Sequence, residues 1–320
     1  MTTSQDLPSL PASSGHVTVK LLDGGSFTAN LDVVHQGSAS VPYRCHSWAF
    51  FIHHEPSGRH ILWDVGLSAL TRLGEQDRSE YTAYTNKHIL DVLHPVSPVV
   101  PLPEQLHALG VPPDMLDTVI FSHHHWDHSR PIKGMFQRAV GYFGPGTFAH
   151  CTPGQFHDEP YDVSGKWDAH FFYPEKATEN CVELDGKWQR FGPFERALDL
   201  LDDGSLWIIQ APGHMPGNLA AAAKLANGEW VIMASDCCHS RALLDGSEDF
   251  RTWVNPNGET ESLHEDLPAA KATVNKLRVL ETHYNAHIAL AHDRSWILAE
   301  SDEVLMSLLS DYAFKACNAP

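Results

Sequence analysis

Ser122-His123-His124-His125-Trp126-Asp127-His128-Ser129 is the stretch that decides the fold. It follows directly on the apolar run Asp117-Thr118-Val119-Ile120-Phe121, which reads as a strand, so the histidines are expected on a loop at a strand's C-terminal end. Open α/β sheets present ligands and catalytic groups at that end. Imidazole nitrogen and carboxylate oxygen suit Zn²⁺ and neighbouring divalent ions. A compact loop can turn His123 and His125 to one ion while Asp127 and His128 reach a second. Even with 22 histidines in the chain, an H-x-H-x-D-H pattern arises by chance in roughly one such chain in a hundred or fewer. An extended segment would put His124 and Trp126 on the side opposite His123 and His125, so neither is assigned to metal.

Working outward, the same arrangement recurs. Ser205-Leu206-Trp207-Ile208-Ile209-Gln210 leads to Gly213-His214, and Trp230-Val231-Ile232-Met233-Ala234-Ser235 leads to Asp236. Ala286-His287-Ile288-Ala289-Leu290-Ala291 ends at His292-Asp293, after a helix expected from about Pro268 to Tyr284. Upstream, Val17 to Leu22 and Ser47 to His53 read as strands, the second turning at Pro56-Ser57-Gly58 into His60 to Gly66. A short helix over Pro103 to Leu109 ends at Gly110. Residues 1–15, rich in Ser, Thr and Pro, are expected to form a loose tail. Residues 16–320 then form a single domain, with an aromatic-rich insertion at about 155–196 that either packs on the body or walls the substrate.

The chain's 320 residues, 42% hydrophobic and 19% charged, can bury a sizeable core. The formal net charge of -18 argues against a nucleic-acid surface, which needs clustered Lys and Arg. No apolar run approaches the roughly 18 residues that cross a bilayer. Six cysteines without a C-x-x-C pair, and no leader pattern at the start, point to a cytoplasmic location. Cys237 and Cys238, next to Asp236, are read as buried structural thiols rather than ligands. The expected partner is a small-molecule substrate, without nucleic acid or membrane, and a homodimer is the assembly entertained.

The chain resembles the metallo-β-lactamase superfamily, in which H-x-H-x-D-H is followed by a His, an Asp and a His, each at a strand end. Asp64-Val65-Gly66 is similar to the family's D-x-G turn, and the resemblance runs from about residue 17 to 295. It implies an α/β fold, the αββα sandwich of two mixed β-sheets flanked by helices. It also implies that His123, His125 and His214 hold one metal, that Asp127, His128 and His292 hold the other, and that Asp236 bridges them. Asp64 would orient a ligand from behind. The expected cofactor is a pair of divalent ions, with Zn²⁺ favoured and Mn²⁺, Fe²⁺ or Co²⁺ as alternatives. Such a pair lowers the pKa of a shared water, so that a metal-bound hydroxide attacks at neutral pH and no Ser or Cys nucleophile is needed. Asp127 is then placed to shuttle the proton.

Ser-His-His-His-Trp-Asp-His-Ser looks most like the lactonase-like branch, which includes quorum-quenching acyl-homoserine lactonases and pyridoxolactonase. Those acyl-homoserine lactonases carry a Tyr three residues after the bridging Asp, whereas this chain has His239 there. Related fungal members open lactam or cyclic carbamate rings, including benzoxazolinone defence compounds, so a detoxifying lactamase stands beside a lactonase. His239 is the candidate proton donor to a nitrogen leaving group. A thioesterase of glyoxalase II or polyketide-releasing type is the alternative enzyme, and a binding protein on the same fold is the non-enzyme alternative.

Overall fold

The computed structural model describes residues 7–70, 75, 77–156 and 166–318. Among these the chain divides into two compact units. One comprises Lys20–Ala29, Tyr43–Leu184 and the residues from Leu309 onward, and is called here the histidine-loop unit. The other comprises the residues up to Val19, Asn30–Pro42 and Asp185–Leu308, and is called the strand-end unit.

The histidine-loop unit is built on a mixed sheet. Ala49–His54 pairs antiparallel with Arg59–Trp63, with Ile52 opposite Ile61, and Gly58 closes the turn at φ 65°. That is the turn expected at Pro56-Ser57-Gly58, where a left-handed residue favours glycine. Arg59–Trp63, Thr118–Ile120, Val140–Phe143 and Cys181–Glu183 then follow in parallel. Ile61, Leu62, Val119 and Ile120 are fully buried, which explains why these strands read as continuous apolar runs rather than alternating ones. The Asp117 carboxylate accepts from Arg59 Nε at 2.6 Å and His60 N at 2.8 Å, which fixes the register of the two strand starts. Leu102–Ala108 is the short helix, with Gly110 at φ 82° just beyond it.

The strand-end unit carries the second sheet, in the order His287–Leu290, Trp230–Ser235, Leu219–Lys224, Leu206–Gln210, Phe194–Asp199, Gln189–Phe191. The first pair is parallel and the others are antiparallel, so this sheet is also mixed. Trp207, Ile209, Ala220, Ala222, Ile232 and Ile288 share a core with Val274, Leu277 and Leu280 of the helix Leu267–Tyr284. Those helical positions recur every three residues and so form one apolar stripe. Asp266 caps the helix by accepting from Ala269 N, and Asn285 ends it at φ 54°. Truncating Leu277, which is wholly buried there, removes about 2–5 kcal/mol of stability.

Two expectations change. Part of the N-terminal stretch is not a loose tail: Ser14 N donates to Asp203 O at 2.8 Å, Tyr284 Oη donates to Pro8 O at 2.5 Å, and Leu10 packs on the core. Apolar and backbone contacts outweigh the loop-forming composition there, while residues 1–6 lie outside the described residues. Nor is 155–196 one insertion. Its described residues 155, 156 and 166–184 belong to the histidine-loop unit, where Phe171 and Phe172 are buried. Its end supplies strands Gln189–Phe191 and Phe194–Asp199 to the other sheet, and residues 157–165 are not described. Among the described residues no helix is long and apolar enough to cross a membrane.

Candidate metal centre

In the histidine-loop unit the strand Thr118–Ile120 delivers the motif beside the end of Arg59–Trp63. Asp64 N donates to Ile120 O at 2.9 Å, and Val65 N donates to His128 O at 3.0 Å. Asp64 sits at φ 58° and Gly66 at φ 60°. A Cβ on Gly66 would lie 2.3 Å from Gly24 O, so this turn requires glycine. The Asp64 carboxylate accepts from Ser122 N at 2.7 Å and from Ser122 Oγ at 2.8 Å, and lies 2.9 Å from His128 Nδ1. Burial pushes the Asp64 carboxyl up from its ordinary range, and the adjacent His128 draws it back.

These contacts set the tautomers. A carboxylate facing Nδ1 makes that nitrogen the donor, which leaves His128 Nε2 with its lone pair. Ser122 Oγ, with its proton given to Asp64, accepts at 3.0 Å from His123 Nδ1, so His123 Nε2 is likewise left as an electron-pair donor. His123 Nε2 lies 2.9 Å from His125 Nδ1, and His128 Nε2 lies 3.4 Å from Asp127 Oδ2. The loop expected here is a turn, since His128 N and Ser129 N both donate to His125 O, so the extended geometry that would set His124 opposite His123 and His125 does not apply. His124 still leaves the site: Ser129 Oγ meets its Nδ1 at 2.6 Å, and Phe143, Phe171 and Phe172 surround its ring. Burial, with the neighbouring His125, holds its imidazole well below the ordinary value, as for a neutral core histidine.

In the strand-end unit three separate strand ends converge. Strands Trp230–Ser235 and His287–Leu290 run parallel, and their register shifts between Met233 and Ser235, where Ser235 takes φ 45°. Asp236 and His292 therefore leave the sheet side by side, with His292 Nε2 at 3.1 Å from both carboxylate oxygens. Asp236 Oδ2 also lies 3.5 Å from His214 Nε2 and 3.3 Å from His239 Nε2. Asp236, His239 and His292 each offer a donor atom within 4.8 Å of the others. The His214 backbone is tied to the start of the long helix: Glu265 N donates to His214 O and Asp266 N to Gly213 O, both at 2.9 Å. Cys237 and Cys238 are buried, and burial pushes the Cys237 thiol up to about 12 and that of Cys238 well above its ordinary value. Both are thiols rather than thiolates, as the structural reading expects.

Each unit thus presents buried imidazole and carboxylate donors without a thiolate, a set that fits Zn²⁺ and its divalent neighbours. Three groups escape a reading of the sequence. Ser122 orients His123 and differs from an ordinary loop serine only in its contacts. His264, from a bent segment, places its ring 5.0 Å from His214 and 5.1 Å from His239. His35 Nε2 lies 2.8 Å from Ser240 Oγ, close behind His239 in the chain. Ser122 lies within the quoted motif without its role being marked there, and nothing local in the sequence signals His264 or His35.

Residues 42–136 match the family model described as the metallo-beta-lactamase superfamily. Cytochrome P450 monooxygenase mpaDE of Penicillium roqueforti is 25% identical over 89% of this chain but 34% of its own length, so the chain spans about a third of that relative. Metallo-hydrolase mfmC of Annulohypoxylon moriforme is 25% identical over 92% of this chain and 83% of its own. The N-acyl homoserine lactonase AiiB of Agrobacterium fabrum is 25% identical over 60% of this chain and 62% of its own. A solved N-acyl homoserine lactone hydrolase, with the product N-hexanoyl-L-homoserine at its catalytic metal centre, superposes with TM-score 0.62 and 15% identity. That match covers 89% of this chain and 96% of the other. The fold is the metallo-β-lactamase fold, with mixed sheets and helices, and the chain is similar in sequence to a metallo-hydrolase and to N-acyl homoserine lactonases.

Proposed function

We propose that this chain, which has the metallo-β-lactamase fold, is a metal-dependent hydrolase that opens a small cyclic ester, or a cyclic amide or carbamate. In this reading His123, His125 and His214 would hold one ion, Asp127, His128 and His292 would hold the second, and Asp236 would serve both. When bound, such a pair of ions lowers the pKa of a shared water and polarises the scissile carbonyl. The observation that carries the reading is the Asp64 carboxylate, which reaches both Ser122 and His128 and so leaves the Nε2 atoms of His123 and His128 as electron-pair donors. The relation to a lactonase and to a metallo-hydrolase supports ring hydrolysis as the reaction class.

Asp127 sits within 3.4 Å of His128 and takes the proton-shuttle role. His239, 3.3 Å from Asp236, is the group that gives a proton to the departing oxygen or nitrogen. A nitrogen leaving group needs that proton more, so a detoxifying lactamase acting on benzoxazolinone-type rings is within the proposal. Zn²⁺ is the favoured ion on ligand chemistry. Six cysteines without a C-x-x-C pair suit a cytoplasmic enzyme.

The test is a hydrolysis screen of lactones, lactams, cyclic carbamates and thioesters, with EDTA-treated and His125→Ala protein as controls. Ring opening that both controls abolish is expected, with His239→Ala slowing lactams more than lactones. Hydrolysis of thioesters alone would overturn the reading in favour of an acyclic substrate.

A further inference from the structure

Three buried imidazoles meet in mutual T-shaped contact within the strand-end unit. The His214 and His239 rings lie 5.2 Å apart at 69°, those of His214 and His264 5.0 Å apart at 71°, and those of His239 and His264 5.1 Å apart at 63°. Ring pairs in this geometry contribute beyond the area they bury. Two of the three already have roles in the proposed reaction, His214 as a ligand and His239 as the proton donor. His264 has none, although it is only 4% exposed. Among the described residues, no cluster of candidate metal donors gathered within 4.8 Å of one another includes it. What it brings to the site is therefore its ring and the backbone segment that carries it.

Torsional preference alone does not aim His239. The outer torsion of a histidine is broad and roughly two-fold, so its neighbours decide which ring atom faces Asp236. They close on the ring from several directions: His292 stacks parallel to it at 5.6 Å and 6°, and His214 and His264 make the T-shaped contacts. Nε2 is thereby kept 3.3 Å from Asp236 Oδ2. His264 is in turn backed by the Phe250 ring, 5.0 Å away at 82°. Its segment is anchored by Leu263 and Leu267, which pack on the core. Ser262 Oγ donates to His264 O at 2.6 Å and accepts from His264 N at 3.0 Å. The next two residues grip the other neighbour, since Glu265 N donates to His214 O and Asp266 N to Gly213 O. One short segment thus holds the His214 backbone and, through a single ring, meets both the His214 and the His239 side chains.

We propose that His264 is a positioning residue, whose ring fixes the orientation of His214 and His239. Its consequence for catalysis rests on the ring-opening reading, whereas the packing itself does not.

A double-mutant cycle in urea on EDTA-treated protein tests the packing apart from the reaction. His239→Ala and His264→Leu should be coupled by about two- to tenfold in the unfolding equilibrium constant. Leucine keeps the volume without the ring, and His264→Phe keeps a ring. Should His264→Leu not fold, His264→Met, flexible and without a flat face, takes its place. A chelator competition titration with Zn²⁺ should show affinity reduced about tenfold in His264→Leu and within about threefold of wild type in His264→Phe. With δ-valerolactone, His264→Leu should lower kcat about tenfold while KM stays within about twofold, and His264→Phe should recover most of the loss. A side chain that merely fills space predicts that leucine and phenylalanine behave alike. Absence of coupling, or leucine matching phenylalanine in both affinity and kcat, overturns the proposal. Coupling and ring-dependent Zn²⁺ affinity in a protein that opens no ring across the screen would sink the hydrolase reading and leave His264 in its role. Ring opening at rates indifferent to His264→Leu, without coupling, would do the reverse.

Discussion

The two halves of the proposed centre are built by opposite means. In the histidine loop four candidate ligands fall from His123 to His128, and Asp64 and Ser122 set the aim of His123 and His128 through direct hydrogen bonds. In the strand-end unit His214, Asp236 and His292 come from distant positions, and sheet register and helix docking bring them together. The first half depends on polar contacts with a few neighbours. The second depends on packing across a whole sheet, so substitutions far from any donor atom should reach it.

The largest effect should follow from Gly213→Ala. A Cβ there would lie 2.2 Å from Ala270 N, and the residue sits at φ 133°. Stability in urea should fall by about 2–4 kcal/mol, with the helix start displaced from His214. A loss under about 0.5 kcal/mol would show that the strand-end half does not need this close approach. Next is Asp64→Asn, which removes the carboxylate behind His128. A competition titration with a chromophoric chelator should show metal affinity reduced about 10–100-fold, and unchanged affinity would remove Asp64 from the account.

Smaller still, Ser235→Gly relieves a left-handed residue at the register shift and should add up to about 1 kcal/mol of stability. A loss instead would mean that the Ser235 side chain contributes more than its backbone costs. The smallest effect concerns pH. Burial lowers the His35 imidazole from its ordinary value, and Ser240 Oγ, which accepts from Leu243 N, can donate to its neutral Nε2. The folded state thus favours neutral His35, while the unfolded chain takes up a proton near pH 6.5. This contribution is present above about pH 6.5 and is lost as pH falls through it toward the lower folded value. His35→Gln should flatten the fall in stability between pH 7 and 5 by less than about 1 kcal/mol, and parallel pH curves would refute the assignment.

The same contrast decides what could be read beforehand. Strands such as Trp230–Ser235 and Leu206–Gln210 declare themselves as apolar runs because both faces are buried, and the helix Leu267–Tyr284 declares itself by its cap and stripe. The histidine run is legible because its groups are contiguous, and the strand-end trio is legible because each follows such a run. The pairing of residues 8–14 with Asp203 and Tyr284 is not legible, because its stabilisation is entirely long-range. The division of 155–196 between two units escapes for the same reason, and so does His264, whose ring lies beside His214 only through tertiary packing.

The proposed function requires donors from both halves to hold the ions. Metal analysis of protein reconstituted with Zn²⁺ and desalted tests this most directly, comparing wild type with His125→Ala and His214→Ala. Two ions per chain in the wild type, and loss of bound metal in both variants, is the predicted result. Full occupancy in either variant, or a wild-type chain that retains no metal, would contradict it.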